Sequence, residues 1–192
     1  ILSQGSELEY FRYLLFKMID MINSKIEIGI IGAGGITAAT HLPLLSSINN
    51  IKIKYIADIV DPKNLAKVYR TKSIKITDTA SLPDCDIILL AIPVGVRETY
   101  VHEFSKRKTP IFSEKPFAID LSMHKKFLEL SDRISCNYMR VHYNSTRQIK
   151  DIISSEIFGK LKRVSITEGD IIGRTNRGKD FYQANPKLGG GG

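Results

Sequence analysis

Three glycines in the run IGIIGAGGITAATH (28–41) are the first residues whose spacing could do chemistry. Gly32, Gly34 and Gly35 stand directly after the apolar stretch IEIGII and directly before a stretch that reads as a helix. In a dinucleotide site the first glycine permits a sharp turn and the second lets backbone approach a pyrophosphate. The helix that follows then turns its unpaired N–H groups and the positive end of its dipole toward the anion. Ile36 opens that helix and belongs with the residues expected to touch a cofactor. The third glycine of the fingerprint is due at position 37, where the chain has Thr37, still small enough to let helix approach sheet. Taken alone, strand, glycines and helix fit an ordinary turn equally well.

A cradle for a dinucleotide also needs an acid. Asp58 ends the next apolar stretch, 26 residues beyond Gly32, close to the roughly 20 expected of a carboxylate that binds the adenosine ribose hydroxyls. Its charge repels a 2′-phosphate, so NAD is the expected cofactor. Asp61 competes for the role, but as the residue before Pro62 it reads first as a cap for the next helix. Lys63 keeps NADP open.

Strands and helices must hold these groups in place. KIEIGII (25–31), IKIKYIAD (51–58), DIILLAI (86–92), PIFS (110–113) and ISCNY (134–138) read as strands. Helical stretches fall between them at about 36–48, 62–70, 95–106 and 121–131. The run DIILLAI is continuously apolar, as in a strand buried on both faces. Strand and helix in alternation with short connections define an α/β fold, a Rossmann-type doubly wound parallel sheet, which binds ligands at the carboxyl ends of its strands. After Tyr138 the rhythm changes. A helix is expected over TRQIKDIISSEIFGKL (146–161) with a turn at Gly159, then a strand at 162–168. This reads as the incomplete start of an α+β second domain. The expected organisation is an N-terminal helical extension over 1–23, a dinucleotide-binding domain over 24–140, and the beginning of a second domain over 141–192.

The stretch TPIFSEKPFAID (109–120) is more specific. With GAGGITAATHLPLL and AIPVGVRETYVHEF, in that order along the chain, it resembles the Gfo/Idh/MocA oxidoreductases, relatives of glucose–fructose oxidoreductase and inositol dehydrogenase. The likeness covers about residues 25–170. It implies an NAD(P)-dependent oxidoreductase that transfers hydride from a sugar, polyol or sugar-derivative hydroxyl, with a homo-oligomer as its full-length form. Lys115 of the Glu-Lys-Pro motif would orient substrate and assist proton transfer, work that a lysine with a lowered pKa can do at neutral pH. Glu114 would contact the cofactor ribose and hold the local geometry. Pro116 would fix the turn that aims Lys115. Ile92 and Pro93 would lie along the dinucleotide, with Gly95 close by. Arg97 departs from the pattern, since relatives often have His there. It would pair with a phosphate or an acidic substrate, or face solvent. Arg140 in NYMR would face the substrate or form an inter-domain salt bridge, and His41 would be packing.

In complete relatives a glycine pair like that in KLGGGG leads into a stretch carrying an Asp and a His, and the sequence stops before it. A dinucleotide-binding module without turnover is therefore the alternative reading.

Composition narrows the remaining classes. The chain has 192 residues, 43% of them hydrophobic and 25% charged, with a net charge of +8. That suits a globular protein with a real core. The basic residues are spread out, SKRK (105–108) being the densest cluster. No aromatic–basic interleaving accompanies them, so no nucleic-acid partner is expected. No apolar run approaches the roughly 20 residues of a membrane span, and no signal-peptide order opens the chain. Cys85 and Cys136 match no metal spacing, and His41, His102, His124 and His142 are scattered. No metal site is expected, and reduced thiols in a cytoplasmic protein are.

Overall fold

A computed structural model describes residues 24–167 and 186–189. The expected extension over 1–23 lies outside the described residues. Two compact units divide the chain, Ile1–Ala91 and Ile92–Gly192.

In the first unit four parallel strands take the order β3-β2-β1-β4: β1 Ile26–Ile31, β2 Ile51–Asp58, β3 Lys72–Lys75 and β4 Ile87–Leu90. β1 sits between β2 and β4, with Ile28 opposite Ile53 on one side and Ile87 on the other. Its central position explains its apolar run. Ile30, Ile31, Ile56, Ala57, Ile88 and Leu90 are fully buried, as strands covered on both faces must be. Gly29, in the middle of β1, has a packing reason. A Cβ there would come within 2.5 Å of the Tyr55 ring and 2.9 Å of Ile88. The bare backbone lets the fully buried Tyr55 cross β1 and reach Pro83, to whose carbonyl its hydroxyl donates at 3.1 Å.

The helical stretch expected over 36–48 is present, but its first turn, Thr37–His41, is a π-helix and only Leu42–Ser46 (α1) is regular α-helix. α2 spans Lys63–Val68. β3 is an edge strand that the sequence reading did not include.

In the second unit β5 (Ile111–Ser113) pairs in parallel with β6 (Ile134–Cys136). α3 (Arg97–Lys106) buries Tyr100, Val101 and Phe104, and α4 (Leu121–Leu130) buries Phe127. The Asp120 carboxylate caps α4 by accepting the amide of Met123 at 2.8 Å. Phe117 locks the loop after β5 onto α4, edge-on to His124 at 4.7 Å and to Phe127 at 5.5 Å. Such pairs stabilise beyond their buried area by about 0.5–1.5 kcal/mol. Lys126 of α4 pairs with Glu98 of α3.

Beyond Tyr138 the expectation holds less well. α5 (Asn144–Ser154) ends before Gly159, and residues 161–167 form no regular element where a strand over 162–168 was expected. A sheet partner supplies the hydrogen bonds that define a strand, and among the described residues this segment has none. A short α6 (Pro186–Gly189) completes the described elements.

Candidate cofactor site

The first group of predicted residues gathers in the first unit at the carboxyl ends of β1 and β2. Gly32 follows β1 with φ +99°, a conformation that favours glycine. Gly34 and Gly35 have no positive φ, so their backbone does not itself require glycine. A Cβ on either would meet nothing within 4 Å. The loop therefore presents bare backbone beside open space. The helix it opens has no side-chain cap. Ile36 is exposed at the same turn.

Asp58 closes the arrangement. Its Oδ2 accepts the amide of Ala33 at 2.6 Å and its Oδ1 accepts that of Val60 at 3.3 Å. Ala33, Gly34, Asp58, Asp61 and Lys63 line one open groove of about 610 Å³. Asp61 does not cap α2, whose cap position is Pro62 with no side-chain bond. Its Oδ2 instead faces Lys63 Nζ at 3.4 Å. The sequence reading missed the part Thr37 plays: fully buried, it donates its hydroxyl to the Gly32 carbonyl at 2.6 Å and ties the first helical turn to the glycine loop. A glycine at the fingerprint position could not make that bond.

The second group lies in the second unit, around the loop after β5. Glu114 is buried. Its Oε1 accepts Asn137 Nδ2 at 2.7 Å and its Oε2 accepts the Lys115 amide at 3.1 Å. The Lys115–Pro116 peptide is cis, and the Lys115 side chain is exposed. The Phe117 amide donates to the Tyr138 hydroxyl at 3.3 Å. Asn137 and Tyr138 hold this loop by hydrogen bonds that no spacing in the sequence marked.

Arg97 requires a correction. It does not face solvent, being 1% exposed. Its Nη1 donates to the carbonyls of Glu114 at 2.7 Å, Phe117 at 3.2 Å and Pro116, and its Nη2 donates to that of Ile92 at 2.8 Å. A buried guanidinium is costly unless its donors are used, and these carbonyls take its two terminal nitrogens. Arg140 is exposed in the turn Met139–His142. His41 is buried.

Cys85 and Cys136 are free thiols, and burial pushes both above the usual thiol range. Neither is an activated nucleophile. Among the described residues no three His, Cys, Asp or Glu side chains gather as metal ligands, and no helix is long and apolar enough to cross a membrane.

Parallel strands, a glycine turn with positive φ and an acid at the end of β2 define a Rossmann-type α/β nucleotide-binding protein. Residues 26–142 match the Gfo/Idh/MocA oxidoreductase family with its NAD-binding Rossmann fold, and the chain belongs to that family. No curated protein matches it. Among solved structures it is similar to a myo-inositol dehydrogenase from Lactobacillus casei in complex with NAD(H) and myo-inositol. There the identity is 22% and the TM-score 0.63, over 70% of this chain and 43% of that one. It is also similar to the WlbA dehydrogenase from Bordetella pertussis in complex with NADH and UDP-GlcNAcA, at 19% identity and TM-score 0.63, over 70% and 44%. A 3-ketoreductase from Actinomadura kijaniata in complex with TDP-benzene and NADP gives 18% and 0.62, over 71% and 45%. At these identities the likeness shows the fold. The chain spans less than half the length of these structures.

Proposed function

We propose that the chain is the cofactor-holding part of an NAD-dependent oxidoreductase that acts on a hydroxyl of a sugar, polyol or sugar derivative. The observation that carries this is the open backbone of Gly34 in the same groove as Asp58, with Gly35 equally open beside it in sequence. In the first unit Gly32, Gly34, Gly35 and Ile36 hold the pyrophosphate, and Asp58 holds the adenosine ribose and disfavours a 2′-phosphate. In the second unit Ile92, Pro93, Glu114 and Lys115 serve the nicotinamide end, as family membership suggests. The bound nicotinamide supplies the hydride acceptor. Lys115 orients the substrate hydroxyl and takes its proton at Nζ. The neighbours that carry NAD(H) with myo-inositol and NADH with a nucleotide sugar support this substrate class. Cys85 and Cys136, free and half-buried, support the cytoplasm as the compartment.

Calorimetric titration with NAD⁺ and NADP⁺ tests the cofactor, and reduction of NAD⁺ in the presence of a polyol and sugar panel tests the chemistry. Saturable NAD⁺ binding that Asp58→Ala weakens is the expected result. A folded chain that gives heat with neither cofactor would sink the proposal.

A further inference from the structure

Arg97 was expected to pair with an anion or to face solvent, and the position it occupies gives it other work. Its two terminal nitrogens donate in two directions. Nη2 holds the Ile92 carbonyl, and Nη1 holds the carbonyls of Glu114, Pro116 and Phe117. One planar group thus bridges the loop that opens at Ile92 and the loop that carries Glu114 and Lys115. The loop after β5 also has other anchors. Asn137 holds the Glu114 carboxylate, and Tyr138 and the His124–Phe127 face of α4 hold Phe117. The guanidinium joins the two loops to each other.

We infer that Arg97 is a positioning residue for the nicotinamide end of the site: it sets the Glu114–Lys115–Pro116 loop against Ile92–Pro93. The inference rests on the proposed cofactor reading, because it gives these two loops to the same part of the dinucleotide. Lysine cannot replace Arg97. An ammonium donates from a single nitrogen, whereas this site uses a fork with its ends apart. Histidine has only two ring nitrogens to offer four carbonyls.

The full chain and its Arg97→Lys variant are titrated with NAD⁺ and with ADP-ribose, which lacks the nicotinamide. Hydrogen exchange is followed over 92–96 and 114–117. Expected for Arg97→Lys is a folded protein with faster exchange confined to those loops. NAD⁺ binding should weaken about tenfold, on the scale of one lost charge-assisted bond, with ADP-ribose binding unchanged. Asp58→Ala should weaken both ligands together. Equal weakening of NAD⁺ and ADP-ribose by Arg97→Lys, or no change in either, overturns the inference, since a merely structural arginine would not tell them apart. If Arg97→Lys does not fold, Arg97→His takes its place under the same criteria. If the parent chain binds neither ligand, the proposed function fails and exchange alone decides. Release confined to the two loops upholds the positioning role, and unchanged or general release overturns it.

Discussion

The carboxylate of Asp58 accepts the amide of Ala33 at 2.6 Å, so the acid that ends β2 is also the brace of the glycine loop that follows β1. One side chain has both a structural and a proposed binding task, and the two can be separated by charge. Asp58→Asn keeps an oxygen for Ala33 N–H but removes the charge that repels a 2′-phosphate. Thermal stability should stay close to the parent, while NADP⁺ binding gains on NAD⁺ in calorimetry. Asp58→Ala should instead cost about 1.5–3 kcal/mol, the range for a hydrogen bond to a charged group, and weaken both cofactors. An Asp58→Asn protein as unstable as Asp58→Ala would mean that the charge, not the acceptor, holds the loop.

Gly29 and Tyr55 give a packing test away from the site. A methyl group at position 29 must displace the Tyr55 ring, which is fully buried and has no free volume to enter. Gly29→Ala should lose about 1–3 kcal/mol in urea unfolding, as overpacked cores do. Shortening the facing ring with Tyr55→Leu should make the pair of changes less costly than the sum of each alone, because neighbours in contact are not additive. Strict additivity would show that the ring does not cross β1 as described.

How much of this was legible in sequence depends on where the partners lie. β2 was read to the residue, because an unbroken apolar alternation ends there in an acid. The glycine loop and Asp58 were found as a pair because their spacing is fixed by a strand–helix–strand unit. β3 was not found: KSIK has lysine at two of its four positions, and an edge strand needs no apolar run. The strand over 162–168 was expected from alternation alone, which cannot supply a pairing partner. Arg97 was misplaced for a related reason. An arginine in the first turn of a helix reads as paired with an anion or facing solvent, and the carbonyls that take its terminal nitrogens belong mostly to residues 17–20 positions further on. Gly29 was hidden inside its own apolar run.

Gly95 makes a second close approach, within the second unit. A Cβ there would fall 1.6 Å from the Lys187 carbonyl oxygen, a contact that only displacement of backbone can relieve. Gly95→Ala should therefore lift Pro186–Gly189 off the Val94–Val96 turn and leave β5, β6, α3 and α4 folded. Tryptic cleavage after Lys187 should accelerate several-fold while the main thermal transition barely moves. Equal cleavage in parent and variant would show that the segment is not seated on the turn.

The pairing of Glu27 with two lysines makes stability depend on pH at both extremes. Lys52 and Lys54 of β2 reach the Glu27 carboxylate of β1 at 2.7 and 2.6 Å. Their hydrogen bonds hold its carboxyl well below the ordinary 4.5, down to about 2. Because the folded value is the lower one, the contribution is complete above about pH 4.5 and drains away as pH falls toward 2. Lys54 shifts the other way, raised above the ordinary 10.5 by the same bond to Glu27. That part is complete below pH 10.5 and is lost as pH rises through the raised value. The expected signature is a difference in melting temperature between the parent and Glu27→Gln that is flat across neutral pH. It should shrink below about 4.5 and again above 10.5. These side chains are part-exposed, so salt near 1 M, where the screening length is about 3 Å, should flatten the whole profile. A difference that persists unchanged at pH 2 would show that the charge of Glu27 is not what separates the parent from Glu27→Gln.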